Sequence, residues 1–198
     1  MDGMWGFRTS WVKRPGLREA LVVTIGFAYE ESGQTTMNAE RQKLQTDVMR
    51  IDEDIVKSER FAKAWQVPHH HKKGTIALHS IETAGYALRI SRWLSRRGIT
   101  VSERDIVRAS LLHDIGMTED QVFLSPSRVK AYTHPQEGSR IAREEFGVSE
   151  LQADAILRHM WPIGHIPPHS IEGWVLVAAD KCCSIHETHR AFAPWARR

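Results

Sequence analysis

Residues Trp174 to Cys183 read Trp-Val-Leu-Val-Ala-Ala-Asp-Lys-Cys-Cys. As a helix this stretch is apolar on almost every side. Such a helix is stable only where neighbours cover all of its faces. That requirement calls for a bundle, and the rest of the chain meets it. From Glu40 to Trp65, apolar residues recur at Leu44, Val48, Ile51, Ile55, Phe61 and Ala64/Trp65, while Asp47, Glu53, Lys57 and Arg60 fill the other face. Spacings of three and four are helical. Val67-Pro68 breaks this helix. The next spans Thr75 to Arg97, with Leu78, Ile81, Ala84/Gly85, Leu88 and Leu94 on its apolar face, and Gly98 stops it. Ser102 is placed to cap a helix that runs through Ile106, Val107 and Ala109 into His113-Asp114. A further helix is expected from about Pro135 to Phe146, with the proline in its first turn. Ser149 caps one that ends near His159, ahead of Pro162. Ser170 caps the last, from Ile171 to about Arg190. No alternating strand pattern follows Ala39. The expected fold class is all-α, a helical bundle.

A chain of 198 residues is long enough for one domain with a sizeable core. Residues 1–36 read as a poorly ordered N-terminal extension, dispensable for folding, and residues 37–198 as the domain. Trp5, Trp11, Gly3, Gly6, Pro15 and Gly16 break any periodicity in the extension. The apolar run from Ala20 to Tyr29 is too short to span a bilayer and leads directly into Glu30 and Glu31. A net charge of +3, with no basic cluster interleaved with aromatics, argues against nucleic acid as partner. Nothing points to a membrane, and the oligomeric state is left open. Cys182 and Cys183 are neighbours, about 100° apart on a helix, and do not easily bridge each other. A secreted disulfide framework is excluded, and a reducing, cytoplasmic setting is expected.

Asp180 lies inside the apolar helix. A buried carboxylate without a partner loses its charge or destabilises the fold. Lys181 sits about 100° round the helix and is no obvious partner. A second awkward pair, His113-Asp114, ends the apolar run Leu111-Leu112 and is followed by Ile115-Gly116. His79 adjoins Leu78, His134 precedes Pro135, and His159 closes a helix. Each histidine alone is most simply a satisfied core or surface residue. Together with the aspartates they form a set, separated (the adjacent pair apart) by about one helix and one loop each. Imidazoles and carboxylates projecting inward from different helices suit a dinuclear Fe, Mn, Co or Zn site between the central helices. The side chains of an adjacent pair diverge, so His113 serves one ion while Asp114 bridges two.

The ordered set His79…His113-Asp114…His134…His159…Asp180 resembles the HD superfamily of metal-dependent phosphohydrolases, over roughly residues 60–190. The resemblance implies one metal held by His79, His113, Asp114 and Asp180. Asp114 would bridge to a second, held also by His134 and His159. His159-Met160-Trp161-Pro162 and Ala179-Asp180-Lys181 are similar to a group of uncharacterised bacterial HD proteins. The cyclic-di-GMP phosphodiesterase branch is similar at His113-Asp114-Ile115-Gly116 and His134-Pro135. It usually carries a lysine where this chain has Met117, and its His-His-Glu…Gly-Tyr-Pro motif is missing here. The ligand set is also similar to that of mixed-valence di-iron oxygenases such as inositol oxygenase.

The implied reaction is hydrolysis of a phosphomonoester or phosphodiester, on a small and nucleotide-like substrate. Asp114 is central to it. His69, His70 and His71 are candidates to protonate the leaving group. Lys72, Lys73 and Lys181 are candidate phosphate contacts. The competing readings are a di-iron oxygenase on the same ligands and a non-catalytic metal- or nucleotide-binding module.

Overall fold

The computed structural model describes residues 34–69, 74–117 and 127–192. The described part is helical, and its one β-contact is an isolated antiparallel bridge between Pro68 and Thr75. The helices are α1 (Gln34–Ile51), α2 (Glu53–Val56), α3 (Glu59–Ala64), α4 (Ile76–Ser95), α5 (Glu103–Leu112), α6 (Ser127–Phe146), α7 (Glu150–Arg158) and α8 (Ile171–Phe192).

The expected starts of α4, α5, α7 and α8 are seen at atomic detail. Thr75, Ser102 and Ser149 are extended at the backbone, and their hydroxyls accept from the N–H of Leu78, Asp105 and Gln152. Ser149 also forms a capping box, because the Gln152 side chain accepts from the Ser149 N–H. Ser170 Oγ accepts from Gly173 N at 3.0 Å. Each cap satisfies a donor that the first helical turn leaves open, worth about 1 kcal/mol.

Two expectations are corrected. The helix expected over Glu40–Trp65 is three helices, and the first begins earlier, at Gln34. The breaks have local causes. Ser58 is extended and caps α3, with Oγ accepting from Phe61 N at 3.1 Å. Asp52 turns inward to meet Arg108. The apolar stripe survives the breaks, since Val48, Ile55 and Phe61 are all fully buried. Pro135 is the second correction, for it lies inside α6 and not in its first turn. A proline there forfeits one ladder hydrogen bond. The turn is braced from outside, because Gly116 backs directly onto it: a β-carbon on Gly116 would lie 2.6 Å from the His134 carbonyl oxygen.

The core is assembled around α8, as its all-apolar sequence requires. α8 packs against α4, α5 and α7, while α4 also packs against α5 and α1, and α6 packs against α7. Val175, Leu176, Ala179 and Cys183 of α8 are buried, as are Ile76, Leu88 and Leu94 of α4 and Ile106, Leu111 and Leu112 of α5. Each fully buried Leu or Ile contributes about 1.5–3 kcal/mol against the entropy of ordering the chain. Among the described residues, no helix is long and apolar enough to cross a membrane.

Candidate metal centre

The ends and middles of five helices converge on one buried point. His79 lies in the first turn of α4, His113 and Asp114 follow the last turn of α5, His134 sits mid-way along α6, His159 caps the C-terminus of α7, and Asp180 is in the middle of α8. All six are buried. The sequence set is therefore brought together in full.

The Asp114 carboxylate divides the site. Its Oδ2 faces His113 Nε2 at 3.5 Å and His79 Nε2 at 3.9 Å. Its Oδ1 faces His134 Nε2 at 3.3 Å and His159 Nε2 at 3.5 Å. Asp180 Oδ1 joins the first side, 3.2 Å from His79 Nε2 and 3.9 Å from His113 Nε2. On the second side, the Nε2 atoms of His134 and His159 are 3.0 Å apart. His69 Nε2 also faces Oδ2, at 3.6 Å, so imidazole nitrogens flank both oxygens of one carboxylate, three on Oδ2 and two on Oδ1.

The tautomers of two of these histidines follow from their backbone contacts. His113 Nδ1 donates to the Ser110 carbonyl at 2.7 Å, and His159 Nδ1 donates to the Ile156 carbonyl at 2.7 Å. Nε2 of each is then an unprotonated donor facing the site. His113 Nε2 is buried and has no hydrogen-bond partner. A buried, unsatisfied nitrogen costs about 1–3 kcal/mol, and a cation at that point removes the cost. Burial pushes the His113 imidazole down to about 4, which keeps it neutral as a ligand must be. Burial alone would raise Asp114, but His113, His134, His159 and His69 around it hold its carboxyl well below the usual range. Asp180 is likewise held low against burial, by Lys181, His79 and His113. Groups that could hold an ion are His79/His113/Asp180, His113/Asp114/His159 and His69/His79/Asp114, together with His79/Cys183/Glu187 on the far side of the His79 ring.

A family model described as the HD domain matches residues 76–185. The chain belongs to the HD-domain family. No curated protein and no solved structure matches it. The HD domain runs from the start of α4 into the last turns of α8, and it contains all six residues of the set.

Lys181 departs from expectation. Its long side chain folds back along α8, and Nζ lies 2.6 Å from Asp180 Oδ2. The flexible stem overcomes the angular offset between neighbours on a helix, so Lys181 does partner Asp180. His69 is described and buried at the HD site, whereas His70, His71, Lys72 and Lys73 lie outside the described residues. Glu187 was not foreseen. Its two oxygens lie 3.0 Å from His79 Nδ1 and 3.2 Å from His69 Nδ1. The signal was available, since Asp180, Cys183, Ser184 and Glu187 share one face of α8 at helical spacing.

Proposed function

We propose that this HD domain is a metal-dependent phosphohydrolase that cleaves a phosphomonoester or phosphodiester of a small, nucleotide-like molecule. The observation that carries the reading is the divided Asp114 carboxylate, with an unsatisfied His113 nitrogen on one side and a close His134/His159 pair on the other. The donor set fits two divalent ions of the Fe, Mn, Co or Zn class. His79, His113, Asp114 and Asp180 hold one, and Asp114, His134 and His159 hold the other. Two such ions supply positive charge for the phosphoryl oxygens and lower the pKa of water towards about 7.

The chain's own residues do the rest. Asp114 sets the spacing of the two positions, because both share its carboxylate. The Ser110 and Ile156 carbonyls lock the His113 and His159 rings, so no reorganisation is needed when charge develops. Lys181 occupies the outer oxygen of Asp180 and turns the inner one towards His79. It also offers its one-third exposed ammonium, beside Asp180, as a phosphate contact. His70 and His71 follow His69 in the chain and serve as proton donors to the leaving oxygen. The two adjacent, buried cysteines, neither of them in a disulfide, support a reducing, cytoplasmic setting.

The test is a screen of phosphomonoesters and phosphodiesters with metal-free protein reloaded with Mn or Co in the absence of oxygen. Phosphate release that depends on metal and is lost in Asp114→Ala is the expected result. Oxygen consumption by iron-loaded protein, without anaerobic hydrolysis, would move the assignment to the di-iron oxygenase reading. Tight metal binding with neither activity would leave a binding module.

A further inference from the structure

We propose that His69 is a further ligand of this centre, and that Glu187 is the positioning residue that aims His69 and His79 at it together. The inference rests on the metal reading above. Both residues lie just beyond the stretch that the HD-domain model matches, His69 before it and Glu187 after it.

Part of the geometry around His79 is repeated at His69. The His69 and His79 rings are stacked, with centroids 3.9 Å apart and planes 17° from parallel. Their Nδ1 atoms face the same carboxylate, Glu187, at 3.2 and 3.0 Å. Their Nε2 atoms face the same oxygen, Asp114 Oδ2, at 3.6 and 3.9 Å. His69 therefore repeats two relations of His79, the one to Glu187 and the one to Asp114, while the contact to Asp180 belongs to His79. An ionised carboxylate has only acceptors, so Glu187 takes an N–H from each ring. That fixes both rings as Nδ1–H tautomers and leaves both Nε2 lone pairs on the Asp114 side. A carboxylate behind a metal-bound histidine is a recurrent arrangement, and here one carboxylate stands behind two.

The backbone has placed His69 for this purpose. His69 N donates to the Gly74 carbonyl at 2.8 Å, and Ile76 N donates to the Val67 carbonyl at 2.9 Å. With the Pro68–Thr75 bridge, these bonds clip residues 67–69 onto the start of α4. His69 is 4% exposed, far more buried than a solvated loop residue would be. The four-residue set of His79, His113, Asp114 and Asp180 becomes five with His69. The Oδ1 side keeps Asp114, His134 and His159. Five N/O donors suit an ion that accepts six ligands, such as Mn, Fe or Co, better than four-coordinate Zn. The crowded side then acts mainly as a holder. The side at His134 and His159, with three protein donors, keeps more coordination positions for water and substrate.

Cobalt(II) alone is the probe, titrated into metal-free full-length protein. The readouts are the bound cobalt per chain, its affinity against a competing chelator, and the shifted exchangeable ring N–H signals in proton NMR. The wild type shows a signal from His69 beside those of the other ligand histidines. His69→Ala loses one signal and binds the tighter cobalt about 10–100-fold more weakly. Glu187→Gln keeps the size of the side chain. Its amide donates to one ring where the carboxylate accepted, which turns that ring's Nε2 into an N–H. It too weakens cobalt by about 10–100-fold and shifts two ring signals at once. Unchanged affinity and signals in both variants overturn the proposal. If His69→Ala fails to fold by circular dichroism, the Glu187→Gln result decides. Asp114→Ala separates the two levels. If it still binds two cobalt ions, the metal reading itself fails. If it binds none while His69→Ala and Glu187→Gln match the wild type, only the role of these two residues fails.

Discussion

Gly116→Ala adds a single methyl group, and its effect is set by backbone geometry. Gly116 ends the turn that carries His113 and Asp114, and it presses against the middle of α6. A β-carbon there would meet the Gly138 nitrogen at 2.4 Å, the His134 carbonyl oxygen at 2.6 Å and the Glu137 carbonyl carbon at 3.0 Å. These are backbone atoms of a helix and have no rotamer to escape into. The glycine does not have a positive φ, unlike Gly98 and Gly147, so an alanine fits its backbone conformation and the effect is steric alone. Relief requires the turn and α6 to separate by on the order of 1 Å, at about 1–3 kcal/mol for an overpacked core. For a domain of this size, 2 kcal/mol is about 4–8 °C in Tm. The same shift opens the 3.3 Å approach of Asp114 Oδ1 to His134 Nε2. A 1 Å misplacement costs about 100-fold in a catalytic constellation. The expected outcome is a folded protein with a Tm lowered by about 4–8 °C, and with metal lost from the His134/His159 side before the other. Differential scanning calorimetry with metal analysis after dialysis reads both. A Gly116→Ala protein with wild-type Tm and metal content would refute the packing argument.

Other perturbations follow from the same contacts. Arg108→Met strips Asp52 and Asp54 of their shared cation and uncaps the Phe146 carbonyl. Asp52 is 1% exposed, and burial followed by its contact with Asp54 pushes its carboxyl up to about 7. Its attraction to Arg108 counts only when it is ionised. The loss should therefore be about 3–5 kcal/mol at pH 8 and clearly smaller at pH 5, where Asp52 is protonated in the fold. Equal losses at both pH values in urea denaturation would contradict this. Chelation should lower Tm and re-addition of Mn restore it, by about 2.7 kcal/mol at a hundredfold excess over Kd; a Tm indifferent to chelator would show that no ion contributes to the fold. His70→Ala should slow phosphate release while leaving metal content at the wild-type level, and loss of metal in this variant would show that His70 is a ligand and not a proton donor.

The legible part of the fold was the part governed by periodicity and caps. Trp174 to Cys183 demanded a central helix, and α8 is central. Ser102, Ser149 and Ser170 announced helix starts because a hydroxyl at that position has a fixed task. The breaks at Asp52 and Ser58 were hidden, because the apolar stripe continues through them and their causes are a distant arginine and a local cap. Pro135 misled because a proline usually opens a helix, and its support comes from Gly116, some twenty residues away in sequence. The six histidines and aspartates of the centre were legible as ionisable residues in apolar places. Glu187 was not, for it sits near the polar end of α8 among His186, Thr188 and His189, where a glutamate needs no explanation. His69 was singled out only as one of several basic residues in a row, and its place beside Glu187 and Asp114 comes from the fold.

Metal analysis of protein purified without added metal is the most direct test of the account. Two ions per chain are expected in the wild type, one in His134→Ala, and none in Asp114→Ala, because one carboxylate serves both positions. A wild-type chain that holds a single ion even under excess metal, or an Asp114→Ala chain that keeps two, would contradict the divided-carboxylate centre.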